Sequence, residues 1–541
     1  MRVVFVSPYD DRCYGPRLIA SWLRKHGHEV WLIIFKKFQS KSVSLEHLAS
    51  VRHPAPGDFS PVTETVEDGS YVCCYVEPIT DKEWTLFTEK LSEYRPELVG
   101  LSLTTPTWPV GKEITARIRR EFPGVPVVWG GVHPSIAPEK CVEHADIVCV
   151  GDGEHTMLDI VNDPERTDIA GTWRRVNGEA VRNPTRPLEQ NLDVFPFASW
   201  GENECILDWD QVVALPATKR EYFRGIYFTM TQRGCPFACT YCYNHIRRAQ
   251  HKGERYVRRR SVDHALAECE QRVRDFGLEG FAFMDDVFVK DRPWLEEFAA
   301  KWPKRIGLPF GGYAHPGVSD EDMIRMLVDV GLSFVTLGIQ SGSQYIAHEV
   351  YNRRQSFDSI LELAQICEKY GLNICYDMLS NCDYEREEDC RETLELLTRL
   401  PRPRLIQVKG LGVFPPFKIA ELDFPKVCLP EATFEFWNTL YLMSRHRDLP
   451  ADPLIALGED DYLKKHPDVL RAVALGLKQL EDAHYRNVDE IARLKARQDE
   501  ASLRGLLRYA KRLVDRSLPR PLADTIKRIL GRSPNAADSS H

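Results

Sequence analysis

Six apolar segments recur through the middle of this chain, at 226–231, 281–284, 309–313, 334–338, 373–378 and 405–411, each followed by residues with helical spacing. Strict strand-then-helix alternation leaves few folds, because parallel strands need crossovers that lie on the sheet they join. Six units fall short of a closed eight-unit barrel. They predict an open, partial (β/α)6 barrel with its functional groups at the carboxyl ends of the strands. Directly after the first of these strands, residues 233–243 read Arg-Gly-Cys-Pro-Phe-Ala-Cys-Thr-Tyr-Cys-Tyr, which places cysteines at 235, 239 and 242.

A four-iron cluster that only carries electrons takes four protein ligands. Three closely spaced thiolates leave one iron open to a small molecule. Cys-x2-Cys pairs also build zinc sites, and thiol runs build redox pairs; zinc would need a fourth ligand, for which His245 stands nearby, although this spacing is unusual for a zinc knuckle. The Cys-x3-Cys-x2-Cys spacing, with Tyr241 just before the last cysteine, resembles the radical S-adenosylmethionine (radical SAM) superfamily. That resemblance implies a [4Fe-4S] cluster on Cys235, Cys239 and Cys242, whose open iron is chelated by S-adenosylmethionine. One electron then cleaves the sulfonium to a 5'-deoxyadenosyl radical, so the cofactor carries the difficult chemistry. It further implies S-adenosylmethionine contacts from Tyr241, Asp285, Asp286, Gln340, Ser341 and Asp377, with Gln340 standing where the family often has glutamate. Read without the resemblance, each acidic residue serves equally as a helix cap or a surface ion partner.

Residues 3–6 form an apolar strand, followed by a loop holding Tyr9, Asp10, Arg12 and Tyr14, a helix through Leu18, Ile19, Trp22 and Leu23, and a second strand at 31–35. Further strands at 98–103, 125–129 and 147–150 end in small or polar turns. This predicts a doubly wound, flavodoxin-like parallel sheet whose ligand sits outside the strand carboxyl ends. The pattern resembles the cobalamin-binding domain that precedes the radical core in one branch of the superfamily, through Ser102 and Thr104, Gly130 and Gly131, His133, and Gly151, Gly153 and Glu154. The resemblance implies that these residues line a cobalamin site, with glycines letting backbone approach the macrocycle. The first loop lacks Asp-x-His-x-x-Gly, so cobalt is expected to carry no protein histidine and to sit over Tyr9, Asp10, Arg12 or Tyr14. A flavodoxin-like domain with another ligand, or none, is the alternative.

The chain thus divides into a cobalamin-binding domain over 1–182, a proline-rich linker over 183–220, a radical SAM core over 221–425, a helical region over 426–532 and a disordered tail over 533–541. Between Arg504 and Arg532, nine Lys or Arg face two Asp with leucines and isoleucines interleaved. This reads as a solvated helix on the core, with peripheral membrane contact as the alternative. Cys375, Cys382 and Cys390 are spaced too widely for a second cluster and read as ordinary thiols.

A net charge of -8 over 541 residues argues against a dedicated nucleic-acid binder. With no secretion signal and no apolar run able to span a bilayer, the fifteen cysteines read as reduced thiols and metal ligands of a cytoplasmic protein. The family resemblance implies a small-molecule substrate, such as a lipid or natural-product intermediate, and a low-potential electron donor such as flavodoxin or ferredoxin. Methyl transfer to an unactivated carbon leads, with cyclisation or ring contraction of a tetrapyrrole or hopanoid-type lipid as the alternative. Methylthiolation of transfer RNA would need three more ligand cysteines and an RNA-binding barrel, and neither is visible. A non-catalytic iron-sulfur or cobalamin protein is the remaining alternative.

Overall fold

The computed structural model describes residues 1–474 apart from 38, 43–62, 68, 69, 76–78, 177, 202, 209, 215–224, 413–415, 446–448, 468 and 471–473. In chain order its strands are β1 (Arg2–Tyr9), β2 (Glu29–Lys37), β3 (Gln39–Ser42), β4 (Thr63–Glu67), β5 (Ser70–Tyr75), β6 (Leu98–Ser102), β7 (Val127–Gly130), β8 (Ile147–Cys149), β9 (Thr172–Val176), β10 (Glu179–Arg182), β11 (Glu204–Asp208), β12 (Gln211–Ala214), β13 (Ile226–Thr229), β14 (Gln232–Arg233), β15 (Arg258–Arg259), β16 (Gly280–Phe283), β17 (Phe310–Ala314), β18 (Leu332–Gln340), β19 (Asn373–Ser380) and β20 (Leu405–Gly410).

The first sheet runs β10-β9-β8-β7-β6-β1-β2-β11-β12. Its centre, β8-β7-β6-β1-β2, is parallel, which is the flavodoxin-like order with a crevice where the winding reverses between β1 and β6. Val3 to Val6 are buried on both faces of β1, as a strand sandwiched between helices requires. Helices Tyr14–Lys25 and Gly153–Asn162 cover one face, and Asp81–Tyr94 and Trp108–Glu121 cover the other. The segment read as a linker contributes more than a connection. Its β11 pairs with β2, because Cys205, Ile206 and Leu207 bury apolar surface that proline content alone does not reveal.

The second sheet runs β13-β16-β17-β18-β19-β20-β4-β5-β3. Its first six strands are parallel and correspond to the six apolar segments of the sequence. Beyond β20 the sheet continues with β4, antiparallel, supplied by an insertion that follows β2 of the other sheet. An open barrel leaves an edge of unpaired N–H and C=O groups, and this insertion covers it. The helix Glu431–Met443 packs Phe434, Phe436, Trp437, Leu440 and Tyr441 into the barrel core. Of the helices expected further on, only 469, 470 and 474 are described; 488–498, the basic stretch 504–532 and the tail lie outside the described residues. Among the described residues, no helix is long and apolar enough to cross a membrane.

Glu385 lies in the turn between β19 and the helix Glu387–Arg399, 2% exposed, with no hydrogen bond to its Oε2. Burial, reinforced by Asp389, pushes its carboxyl up to about 8. The folded chain therefore keeps a proton that the unfolded chain releases above roughly pH 4.3, so stability falls as pH rises from there to about 8 and then levels off. Glu385→Gln is expected to flatten that slope, raising Tm at pH 8 far more than at pH 5. Equal shifts at the two pH values would contradict the assignment.

Candidate active site

The carboxyl ends of β1, β6, β7 and β8 face the segment after β13 across a shared cavity of about 340 Å³. Tyr14, Ser102, Gly130, Gly131, Gly151, Gly153 and Glu154 line it from the first sheet; Met230, Arg233, Tyr243, Arg247, Arg258 and Asp286 line it from the barrel side. Gly131 and Gly151 adopt φ of 98° and 99°, a conformation that glycine alone takes readily. A Cβ on Gly131 would stand 2.7 Å from the Leu103 carbonyl, whereas one on Gly130 would meet nothing closer than 3.8 Å. Bare backbone therefore faces the cavity at Gly130. Val132, an apolar side chain left 37% exposed, lines the same wall.

Two carboxylates and three arginines tie the domains together at the cavity edge. Asp152 lies 3.1 Å from Arg233, 2.9 Å from Arg258 and 3.7 Å from Arg247, and Arg233 also closes on the buried Glu154. Burial opposes ionisation of Asp152, but the arginines outweigh it and hold the carboxyl well below its usual range. The knot leaves one positive charge in excess beside the cavity. Next to it, Gln250 donates to the Ser135 carbonyl at 3.0 Å, and Ser135 Oγ accepts from the Gly151 N–H at 3.0 Å. The helix Tyr243–Gln250, which starts immediately after Cys242, is thus anchored to the glycine turns of the first sheet.

The three cysteines occupy one loop, Cys239 buried and Cys235 and Cys242 half-buried. Burial pushes the Cys235 thiol up to about 12 and the Cys242 thiol up to about 11, with nearby Asp286 adding to both. Each therefore gives up its proton to a metal rather than to water. Backbone N–H groups of Phe237 and Asn244 point at Cys235 and Cys242, and Arg353 Nη1 approaches Cys239 Sγ at 3.9 Å, donors suited to sulfur carrying negative charge. Among the described residues, no three His, Cys, Asp or Glu side chains converge on a single ion. A cube does not ask for that, since each cysteine holds its own iron corner. The thiol set fits a cluster.

Other expected contacts divide into those that face open space and those that support it. Asp286 reaches the cavity, and its carboxyl is raised by burial and by neighbouring Asp285, an effect that its bond to Asn244 only partly offsets. Asp285 does not face a ligand: fully buried, it accepts from the backbone N–H of Thr231 at 2.6 Å and of Gln232 at 2.9 Å, and from the Thr231 hydroxyl. It fixes the turn that delivers the cysteine loop. Ser341 is likewise internal, its Oγ accepting from Ser343 N–H at 3.1 Å and lying 3.4 Å from Thr393 Oγ1. Tyr241 rests edge-on against Tyr351 with centroids 4.9 Å apart, and Gln340 is held at φ 70° beside Arg353. Asp377 pairs with Lys409 at 2.7 Å near Tyr313.

Of the residues expected beneath cobalt, Tyr14 lines the cavity; Tyr9 is buried, Asp10 bonds Arg12 N–H at 3.1 Å, and the Arg12 guanidinium stacks 3.9 Å over Phe228. Thr104 is exposed and accepts no role in the cavity wall. His133 turns away, stacked on Trp108 at 5.1 Å with Nδ1 3.2 Å from Thr105 Oγ1. Arg233, Arg247, Arg258, Asp152, Arg353 and Lys409 were not singled out from sequence. Two carried a signal: Arg233, two residues before Cys235, and Asp152, between Gly151 and Gly153.

Residues 229–397 match the Radical SAM superfamily, and residues 74–161 match the B12 binding domain. The chain therefore carries a radical SAM domain and a B12-binding domain. It is 25% identical over 324 residues to "Uncharacterized methyltransferase PH0819" of Pyrococcus horikoshii, covering 57% of this chain and 66% of that protein. It is also 25% identical over 324 residues to the "Anaerobic magnesium-protoporphyrin IX monomethyl ester cyclase" of Rubrivivax gelatinosus, covering 57% and 55%. The chain thus spans between half and two thirds of these relatives. The fold is shared with the radical S-adenosylmethionine methyltransferase TsrM from Kitasatospora setae, solved with cobalamin and a [4Fe-4S] cluster, at a TM-score of 0.56, 17% identity and 77% coverage of each chain. The two domains imply a [4Fe-4S] cluster, S-adenosylmethionine and cobalamin. For cobalamin the fit rests on the bare glycine wall and the apolar Val132 facing the cavity.

Among the described residues no histidine lines the cavity, and burial lowers His133 to about 4, keeping it neutral in its own niche. Cob(II)alamin bound to this protein is expected to show an electron paramagnetic resonance spectrum without histidine nitrogen splitting, unchanged in His133→Ala. A nitrogen splitting that vanishes in His133→Ala would show the ring on cobalt.

Proposed function

We propose that this protein transfers a methyl group to an unactivated carbon of a small-molecule substrate. When bound, the cluster and S-adenosylmethionine supply a 5'-deoxyadenosyl radical, and cobalamin supplies the transferable methyl group. The observation that carries this reading is the single cavity into which both the glycine turns of the B12-binding domain and the start of the cysteine loop open. This chain's residues do the positioning. Cys235, Cys239 and Cys242 hold the cluster, Asp286 presents a carboxylate between those thiols and the cavity, and the Arg233 knot keeps the two domains in register. Asp377 and Lys409, on adjacent strand ends, offer a charged pair to substrate or to S-adenosylmethionine.

Cyclisation with the same cofactors is the second reading, favoured by the match to the Rubrivivax gelatinosus cyclase over as long a stretch as the methyltransferase match. Anaerobic reconstitution with iron, sulfide and cobalamin, followed by S-adenosylmethionine and reductant, tests both. Formation of 5'-deoxyadenosine and S-adenosylhomocysteine supports methyl transfer. With the true substrate, 5'-deoxyadenosine without S-adenosylhomocysteine supports cyclisation, and the absence of 5'-deoxyadenosine from a protein with a full cluster removes both readings.

A further inference from the structure

On the outer side of the cysteine loop lies a shallow groove of about 680 Å³, formed by the helix Tyr243–Gln250 and the turn after it. Pro236, next in sequence to Cys235, lines it. So do His245, Arg248, Lys252 and Arg255. Their partners are neutral: His245 Nδ1 lies 2.8 Å from the Cys242 carbonyl, Arg248 donates to the Cys235 carbonyl, and Arg255 donates to the side chain and carbonyl of Gln190, while Lys252 is exposed. The acidic residue in the lining, Glu254, is exposed but already paired, with His251 at 3.0 Å and with the Leu188 N–H at 2.7 Å, and is outnumbered by Arg248, Lys252 and Arg255. On a chain with a net charge of -8, this groove is a local reversal of sign beside the metal ligands.

We infer that this groove is the docking surface for a small acidic one-electron carrier protein of the flavodoxin type. The inference rests on the radical SAM reading and adds a place to the need for a reductant. Opposite charge steers such a carrier and raises its encounter rate, most strongly at low salt. Arg248, hydrogen-bonded to the Cys235 carbonyl, brings the positive rim to within one residue of an iron ligand. The redox balance is simple: the reduced carrier loses one electron, the cluster gains it, and no group or proton has to cross. A nucleic acid fits less well, because Tyr256 is buried rather than offered as a stacking platform.

The test uses the full chain with cluster and cobalamin, and a variant carrying Lys252→Glu and Arg255→Glu. Cluster reduction is followed by rapid-mixing absorbance and electron paramagnetic resonance, with either a reduced acidic flavodoxin or the uncharged photoreductant deazariboflavin. Flavodoxin is expected to reduce the variant at least roughly tenfold more slowly at low salt and to bind it more weakly by calorimetry, with the difference shrinking as salt rises. Deazariboflavin is expected to reduce both proteins equally, which shows that the variant is folded and loaded. Charge-neutral Lys252→Gln with Arg255→Gln should fall between. Equal flavodoxin rates for wild type and variant, or a groove that binds an oligonucleotide or anionic vesicle but not flavodoxin, would overturn the docking surface and leave the radical reading standing. A loaded wild type that neither reductant reduces would overturn both.

Discussion

Cys239→Ala is expected to abolish 5'-deoxyadenosine formation while leaving cobalamin binding in place. Cys239 sits 8% exposed under Arg353, and neighbouring His245 has Nδ1 engaged with the Cys242 carbonyl at 2.8 Å. Two cysteines do not retain a four-iron cluster, so iron content should fall from about four per chain to below about one. Iron and sulfide analysis, the cluster's paramagnetic signal and product chromatography read this directly. Alanine at Cys375, Cys382 or Cys390 should leave iron content unchanged, because all three are buried in the hydrophobic interior. Wild-type iron and product in Cys239→Ala would reassign the cluster.

Arg233→Met is expected to loosen the seating of cobalamin against the cluster loop. The substitution keeps the volume of the side chain and removes its charge, leaving buried Glu154 without its cation while Asp152 keeps Arg258 and Arg247. Breaking one side of such a buried pair costs about 3–5 kcal/mol, lessened here because Arg233 is about a fifth exposed. Cobalamin retained through gel filtration should drop at least roughly tenfold, equivalent to about 1.4 kcal/mol, with Arg233→Lys recovering part of it. Iron content should change less than cobalamin content. Unaltered Tm together with unaltered cobalamin retention would show that the knot holds nothing.

The six barrel strands are legible in the sequence because each parallel strand, covered on both faces, must be apolar along its length, and that signal is local. The cysteine loop was legible for a related reason: ligand spacing on one short segment is itself geometry. Asp285 shows where that kind of inference ends. Two adjacent aspartates at a strand end look alike in sequence, yet Asp286 faces the cavity and Asp285 turns inward to hold Thr231 and Gln232. Neither the insertion that pairs β4 with β20 nor the return of β11 to β2 carries a periodic mark, since both depend on which edge is left unpaired.

The linear chain by itself determined the chemistry available: three thiols at 235, 239 and 242 and glycines at the ends of a parallel sheet. Only the tertiary structure decided that these two sets share a cavity, that Arg233 reaches back about 80 residues to Glu154, and that His133 is spent on Trp108. Local spacing sets what a segment can bind. Long-range packing sets which way its side chains point and which charge meets which, and those depend on contacts that no single window of sequence contains.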